Sequence, residues 1–338
     1  MRWIPNLETA MNDCVLSVRD LSVSFGLKNP LAVTDRVSFS IKPGEFFALV
    51  GESGCGKSVT AMSILRLLPV PSAKITGEVL FENKNLLTLA LSEMQKIRGT
   101  SITTIFQEPM QALNPVLTIG KQLLEVLRKD KNNRENRIKK YLHLAGLSDV
   151  ERVMNAYPHE LSGGMLQRVC IVMALLNKPR LIIADEPTTA LDVTVQAQIM
   201  DLLKKMALET HTAVLLITHN MGLVAQYANS VAVMYAGRIV EMGPVKKVIN
   251  SPLHPYTQGL LAAIPRGERG VQSIQSIPGN VPAPKDFIDT CRFSPRCAYY
   301  EKKCDIYPPK QGDQEHYAFC VKDKLEIQNA KQKTPPLN

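Results

Sequence analysis

A run of eight residues, 51–58, has the types and spacing of a loop that binds phosphate groups. It reads GESGCGKS and matches the pattern G-x-x-x-x-G-K-S; it is called the P-loop below. Its glycines let backbone N–H groups approach phosphates, and the helix expected to follow adds a positive dipole end. We expect Lys57 to contact the β- and γ-phosphates of a nucleotide and the Ser58 hydroxyl to coordinate Mg²⁺. The predicted nucleotide-binding residues are Gly51, Glu52, Ser53, Gly54, Cys55, Gly56, Lys57 and Ser58.

Two adjacent carboxylates, Asp185 and Glu186, suggest chemistry on the bound phosphate. They follow a short apolar run at residues 181–184, which is typical of a buried strand. We expect Asp185 to hold Mg²⁺ through water, and Glu186 to act as general base on the water that attacks the γ-phosphate. Apolar strands often end in acids, so this pair is informative because it accompanies the P-loop.

Two other polar residues follow apolar stretches in the same way. Gln107 comes after residues 102–106, and we expect it to reach both Mg²⁺ and the attacking water. His219 comes after residues 214–218, and we expect it to contact the γ-phosphate. A lone Gln or His at a strand end is more often structural, but the order and spacing of these two favour a catalytic role.

Residues 161–168, LSGGMLQR, offer a second helix start suited to an anion and are called the signature segment below. Ser162 is a good N-cap, and the two glycines again permit close approach of a phosphate. Because one nucleotide already fills the P-loop, we expect this start to serve another nucleotide, held by a partner subunit. The residues assigned to that role are Leu161, Ser162, Gly163, Gly164, Met165 and Gln167.

The elements that must position these residues form an α/β core. Apolar residues spaced along residues 15–41 predict strands, the run at 46–50 predicts another, and residues 59–68 predict a helix after the P-loop. Runs such as 181–184 and 214–217 are typical of buried parallel strands, which need covering helices.

A helical insertion is expected at about residues 112–178. Within it, residues 121–150 are rich in Leu, Lys, Arg and Glu and predict amphipathic helices. After about residue 250, frequent prolines predict an irregular segment, and residues 329–338 resemble a frayed polar tail.

The composition of the chain limits which functional classes fit it. The chain has 338 residues with 45% hydrophobic and 21% charged, which allows a large globular core. Its net charge of +9 fits phosphates, lipid or nucleic acid, or a solvated basic surface. The longest apolar runs are far shorter than the roughly 20 residues of a membrane-spanning helix. The first ten residues do not resemble a secretory signal, Met11 is an alternative start, and we expect a cytosolic protein.

Four of the seven cysteines crowd the last part of the chain. In a reducing cytosol such a group favours a metal or cluster site over disulfides. Four thiolates can hold a tetrahedral Zn²⁺ or a 4Fe–4S cluster, and free thiols are a third alternative. The C-x₂-C pairs common in zinc sites are absent, so the spacing favours the cluster. The candidate ligands are Cys291, Cys297, Cys304 and Cys320.

Together these features resemble an ATP-binding cassette (ABC) transporter ATPase. The resemblance covers about residues 12–262 and preserves the family order of motifs, including Leu191-Asp192. It implies a P-loop NTPase fold with a mostly parallel core sheet, an antiparallel β subdomain and a helical subdomain. It also implies a head-to-tail dimer with two ATP molecules at its interface, across which Asp192 would communicate. Phe25 stands where the family stacks an aromatic residue on adenine.

Three features resemble the branch that imports peptides and nickel. They are Met165 in the signature segment, the HPYT sequence at 254–257, and the cysteine-rich tail around RFSPRC at 292–297. The branch implies a C-terminal extension at 263–338 and supports a 4Fe–4S cluster there, in a structural role. It leaves the cargo open among dipeptides, longer peptides, nickel chelates, glutathione and antimicrobial peptides.

The resemblance also implies partners. We expect a second, non-identical ATPase subunit, two transmembrane permeases and, indirectly, an extracytoplasmic substrate-binding protein, with this chain at the cytoplasmic face of the membrane. No nucleic-acid partner is expected. Two alternatives are a soluble ABC ATPase of DNA repair or translation, which usually has a coiled-coil insertion or tandem cassettes, and a non-enzymatic subunit with a degenerate site.

Overall fold

The computed structural model describes residues 14–69, 71–127, 133–189, 192–264 and 277–322. They divide into two compact units. Unit 1 takes its residues from Met1–Leu16, Ser40–Phe46 and Phe81–Ile217. Unit 2 takes its residues from Ser17–Phe39, Phe47–Leu80 and Thr218–Asn338. The first ten residues and the tail at 329–338 lie outside the described residues.

The described residues form strands and helices, with five consecutive helices in the middle of the chain. In order they are β1 (Leu16–Phe25), β2 (Leu31–Ile41), β3 (Phe46–Val50), α1 (Lys57–Ile64), β4 (Ala73–Phe81), β5 (Lys84–Asn85), α2 (Leu91–Ile97), β6 (Ile102–Ile105), α3 (Pro109–Ala112), α4 (Ile119–Val126), α5 (Arg134–Leu144), α6 (Val150–Asn155), α7 (Gly163–Leu175), β7 (Leu181–Asp185), α8 (Val193–Glu209), β8 (Ala213–Thr218), α9 (Met221–Tyr227), β9 (Ser230–Tyr235), β10 (Arg238–Pro244), α10 (Val245–Asn250), α11 (Pro255–Ala262), β11 (Lys310–Gly312) and β12 (Tyr317–Phe319).

Unit 1 contains parallel strands in the order β8, β7, β6. Residues 181–184 of β7 are fully buried, as is every residue of β8, because helices must cover both faces of a parallel sheet. The predicted buried parallel strands are thus confirmed. Ile105 of β6 pairs with Ala184 of β7, so the two strands end at the same edge.

The predicted helical region of unit 1 contains α4, α5, α6 and α7. Each turns apolar residues inward, such as Ile119 and Leu123 on α4 and Ile138 and Leu142 on α5. This burial stabilises short helices that would be marginal alone. Residues 128–132, inside the predicted amphipathic stretch, lie outside the described residues.

Unit 2 contains five strands of mixed direction, in the order β11, β12, β10, β9, β3. Strand β3 runs parallel to β9, whereas β9, β10, β12 and β11 pair antiparallel in succession. The expected mostly parallel arrangement therefore describes unit 1, and unit 2 is mixed. Strands β2, β1 and β4 are neighbours in a separate sheet.

The end of the chain is less irregular than its prolines predicted. Strands β11 and β12 extend the unit 2 sheet, with Ala318 paired to Glu241 of β10. Three-residue strands are too short to show periodicity, so the sequence could not reveal them. Phe293 and Tyr256 join the apolar core of the same unit, together with Val50 and Tyr235.

None of the described helices is both long and apolar enough to cross a lipid bilayer.

Candidate nucleotide-binding site

The P-loop connects β3 to α1 in a turn that tolerates no side chain at two glycines. A Cβ on Gly51 would lie 2.1 Å from the Met234 carbonyl oxygen. Gly56 has φ +106°, and a Cβ there would lie 2.9 Å from the Met234 side chain and 3.0 Å from Thr34. The backbone therefore passes closer to its surroundings than any other residue type allows. The predicted strand–loop–helix arrangement is present.

Lys57, the first residue of α1, closes the loop from inside. Its Nζ donates to the Gly51 carbonyl at 2.7 Å and to the Glu52 carbonyl at 3.0 Å, and the residue is buried. Ser58 is exposed next to it. The first turn of α1 contains no acidic residue, so its positive end is available to an anion. The arrangement can bind phosphate groups.

Glu52 is held by residues far along the chain. Its N–H donates to the Tyr256 hydroxyl at 2.9 Å, and each of its carboxylate oxygens accepts from an Arg296 nitrogen at 3.1 Å. Sequence reasoning missed these contacts. Tyr256 lies in the HPYT sequence and Arg296 in RFSPRC, two motifs that in the sequence indicate only a resemblance to one branch of the family.

The carboxyl edge of unit 1 carries three of the predicted site residues. Asp185 ends β7, Glu186 follows it, and Gln107 lies two residues beyond the paired end of β6. Gln107 is exposed, and both carboxylates are half-buried. A cation at this edge would meet oxygen donors of the kind that Mg²⁺ prefers.

Glu186 adopts a strained backbone conformation. Its φ of +49° is left-handed, which is uncommon for a residue with a side chain. The Glu186 N–H donates to the Ile217 carbonyl at 2.9 Å, and its carboxylate accepts from the Thr189 hydroxyl at 3.2 Å. These bonds hold the side chain in a defined direction despite the strain.

The signature segment begins α7, as predicted. Ser162 is the N-cap, and its hydroxyl accepts a hydrogen bond from the Met165 N–H at 3.4 Å. Ser162 and Gly163 are exposed, whereas Leu161 and Gln167 are buried. The exposed part of the segment is therefore the capping residue and the first glycine.

Three other predicted residues occupy the ends of elements. Asp192 caps α8 by accepting from the Val195 N–H at 3.0 Å; Asp before a helix is a common N-cap, a signal that the sequence analysis did not use. Phe25 ends β1 half-buried, and His219 is exposed beyond β8. Leu191 lies outside the described residues.

The four candidate ligands in the tail line one cavity. Cys291, Cys297, Cys304 and Cys320 share it with residues that include His254 and Phe293.

All the cysteines are free thiols. Burial raises the pKa of Cys297 to about 12 and that of Cys320 to about 11, so these thiols stay protonated unless a metal displaces the proton. No group of three or more His, Cys, Asp or Glu side chains in the described ranges is arranged to hold a metal ion.

Three family models match parts of this chain. The model of ABC transporters matches residues 34–189, which include the P-loop, the signature segment and Asp185-Glu186. The model of the oligopeptide/dipeptide transporter C-terminal region matches residues 240–304. A third model, an AAA domain described as a putative AbiEii toxin of a type IV toxin–antitoxin system, matches residues 154–225 and overlaps the first.

Several curated proteins are similar over most of the chain. The dipeptide transport ATP-binding protein DppD of Bacillus subtilis is 48% identical over 301 residues, which cover 87% of this chain and 90% of the relative. The oligopeptide transport ATP-binding protein AppD of the same organism is 46% identical over 296 residues, covering 86% and 90%.

Solved structures share the fold. A dimeric post-hydrolysis structure of the ATP-binding cassette MJ0796, bound to ADP and Pi, is 30% identical with a TM-score of 0.60, covering 68% of this chain and 98% of that one. The protein cbiO1 of Clostridium perfringens, part of the ABC transporter complex cbiONQ, is 28% identical with a TM-score of 0.62, covering 70% of this chain and 91% of that one.

Proposed function

The chain belongs to the ABC transporter ATP-binding subunits of the oligopeptide and dipeptide type, and from this membership we propose that it hydrolyses ATP to drive peptide import. The observation that carries the nucleotide site is the P-loop, whose Gly51 leaves no room for a Cβ and whose Lys57 is held inside the loop. Oligopeptide and dipeptide transport are the roles named for the similar curated proteins.

We assign the residues as follows. Lys57 and the P-loop N–H groups bind the phosphates, and Phe25 stacks on the adenine. Ser58, Gln107 and Asp185 would hold Mg²⁺, the last through water, and the bound ion would neutralise charge on the phosphates.

Hydrolysis then requires a base and a stabilising donor. Glu186 accepts the proton of the attacking water; its left-handed backbone and its bond to Thr189 support this role because they hold the carboxylate in one direction. His219 contacts the γ-phosphate. Gln107 orients the water from the same edge of unit 1.

We further propose that the signature segment acts on ATP bound by a second ATPase subunit. Ser162 and Gly163 are exposed at the start of a 13-residue helix, which leaves them available to a nucleotide. A related cassette is described as a dimer bound to ADP and Pi. Asp192, exposed at the start of α8, would communicate across that interface.

The partner ATPase is proposed to be non-identical. Two transmembrane permeases and an extracytoplasmic binding protein would complete the importer, with this chain at the cytoplasmic face. Copurification of this chain with a different ATPase would support the pairing, whereas a homodimer as the active transporter would contradict it.

We propose a 4Fe–4S cluster in a structural role at the four tail cysteines. Their placement around one cavity supports it, since such clusters are held by four thiolates. A tetrahedral Zn²⁺ held by the same four thiolates, and free thiols with no metal, are the two alternatives. Iron and sulfide assays on anaerobically purified protein, with Cys297→Ser as comparison, decide this; absence of both elements contradicts it.

Peptide transport is tested in vesicles that contain the assembled transporter. We expect ATP-dependent uptake of labelled di- and oligopeptides that stops when Glu186 is replaced by Gln. Uptake of a nickel chelate or glutathione instead, with no peptide uptake, would leave the ATPase assignment standing and overturn the cargo.

A further inference from the structure

Glu52, the second residue of the P-loop, is fixed at its amide, its carbonyl and its carboxylate. Its carbonyl accepts from Lys57 inside the loop. Its N–H and its carboxylate are bound by Tyr256 and Arg296, which lie 204 and 244 residues later in the chain. All these residues belong to unit 2. The loop is thus anchored from outside as well as from within.

The contacts of the Arg296 side chain hold its guanidinium in one orientation. Its side chain is only 7% exposed. Besides both Glu52 oxygens, its guanidinium donates to the carbonyls of Pro278, Ile277 and Gly279, and it lies 5.7 Å from the centre of the Tyr235 ring. Because the guanidinium already has these partners, it does not depend on Glu52 for its position. The two parallel bonds to a carboxylate are the geometry that arginine provides and lysine does not.

Tyr256 is equally immobile. It is fully buried, and its ring packs against Tyr235 at 4.7 Å and Phe293 at 5.4 Å between centroids. Burial raises the pKa of Tyr256, so the hydroxyl stays neutral and can accept from the Glu52 N–H. Both outside anchors of the loop therefore belong to a rigid part of unit 2.

A glycine-rich loop loses more conformational freedom on ordering than other chain segments do. Groups that hold its backbone before the ligand arrives reduce the cost of ordering it during binding. Glu52 contacts Lys57 and is adjacent to Gly51, so its position affects where the loop presents its N–H groups and its cation.

We propose that Arg296 is a positioning residue for nucleotide binding, which acts through Glu52 to hold the P-loop in its phosphate-binding form. The inference rests on the proposed ATP site and adds to it a role for the tail. It requires no group at the cysteines. Arg296 itself need not touch the nucleotide.

The test is a double-mutant cycle on the full chain, with Arg296→Gln, Glu52→Gln and both together. We expect each single change to weaken the Kd for MgATP about fivefold, and the double change to weaken it no further than about twofold beyond either. In the assembled transporter, the KM for ATP should rise by a similar factor while kcat changes less than twofold. Arg296→Lys should recover only part of the affinity.

Two further variants make the outcomes distinguishable. Lys302→Gln, an exposed cation of the same segment, serves as matched control and should bind MgATP as the wild type does. Lys57→Ala tests the site itself. If Lys57→Ala binds MgATP normally, the proposed ATP site is wrong and the inference falls with it.

If Lys57→Ala loses binding while Glu52→Gln and Arg296→Gln retain the wild-type Kd, the inference alone is overturned. Additive effects in the double variant would also overturn it, since they would show that Arg296 does not act through Glu52. If Arg296→Gln does not fold, Glu52→Gln alone provides the test. The Glu52 side chain is 29% exposed, so replacing it disturbs few other contacts.

Discussion

The chain contains two helix starts that suit a phosphate, and they are built differently. The start of α1 is closed: Lys57 is bonded inside the loop, and Glu52 is held by Tyr256 and Arg296. The start of α7 is open: Ser162 and Gly163 are exposed, and the Ser162 hydroxyl makes one 3.4 Å capping bond.

This difference indicates that the two helix starts have different roles in phosphate binding. A loop whose backbone is already held can bind phosphate within one chain, since little ordering remains to be done. An exposed helix start offers N–H groups and a dipole but no enclosing wall, so its affinity for a free anion is expected to be low. We therefore expect this start to act on phosphate that a partner subunit presents.

The largest effect is expected from Glu186→Gln, which should stop hydrolysis of the ATP bound at the start of α1. Turnover of the assembled transporter should fall about 10²- to 10⁴-fold, because the amide cannot accept the proton of the attacking water. MgATP binding should be retained. Steady-state ATPase assays and calorimetric titration measure the two, with the exposed Glu93→Gln as control. Substantial turnover in the Glu186 variant would show that the base is misassigned.

Lys57→Ala and Ser162→Ala compare the two starts directly. The isolated full chain should lose about 30-fold or more in MgATP affinity with Lys57→Ala, since charge-assisted bonds contribute roughly 1.5–3 kcal/mol each. Ser162→Ala should leave that affinity within about twofold. Equal losses in both variants would break the comparison, because they would mean that one chain uses both starts on one nucleotide.

Replacing one glycine by alanine in each helix start tests how much space the surrounding atoms leave there. Gly51→Ala should lower the free energy of unfolding by about 1–3 kcal/mol, because the new Cβ would lie 2.1 Å from a backbone oxygen that cannot move away easily. Gly164→Ala would meet only the Val195 side chain at 3.3 Å and should cost under about 1 kcal/mol. Denaturant unfolding measures both, and similar losses would contradict the difference.

Substitutions of Ser162 should have only a modest effect on stability. Replacement by Ala removes the N-cap and should cost about 1 kcal/mol in unfolding. Ser162→Asp should keep the cap but place a negative charge where a partner's phosphate is expected. If the proposal is right, thermal unfolding of the Asp variant stays near wild type while transporter turnover falls; normal turnover would argue against a phosphate at this helix start.

Much of the site could be predicted because it depends on local chemistry. The P-loop pattern identified the turn before α1, and the order Ser162-Gly163-Gly164 identified the cap of α7. Continuous apolar runs predicted β7 and β8, since strands buried on both faces carry no polar alternation.

Other features could not be predicted because they depend on distant partners. Strands β11 and β12 are too short for a periodic signal and exist through their pairing with β10. The left-handed backbone of Glu186 could not be predicted, because Glu has no preference for that conformation.

By itself the sequence determined the chemistry of the nucleotide site, since glycine spacing, a lysine and a helix start act over a few consecutive residues. It also determined that four thiols are available in the tail. Only the tertiary structure decided that the thiols line one cavity and that Arg296 reaches Glu52. Contacts between residues 244 positions apart arise from how unit 2 packs its sheet and core, and local sequence does not encode them.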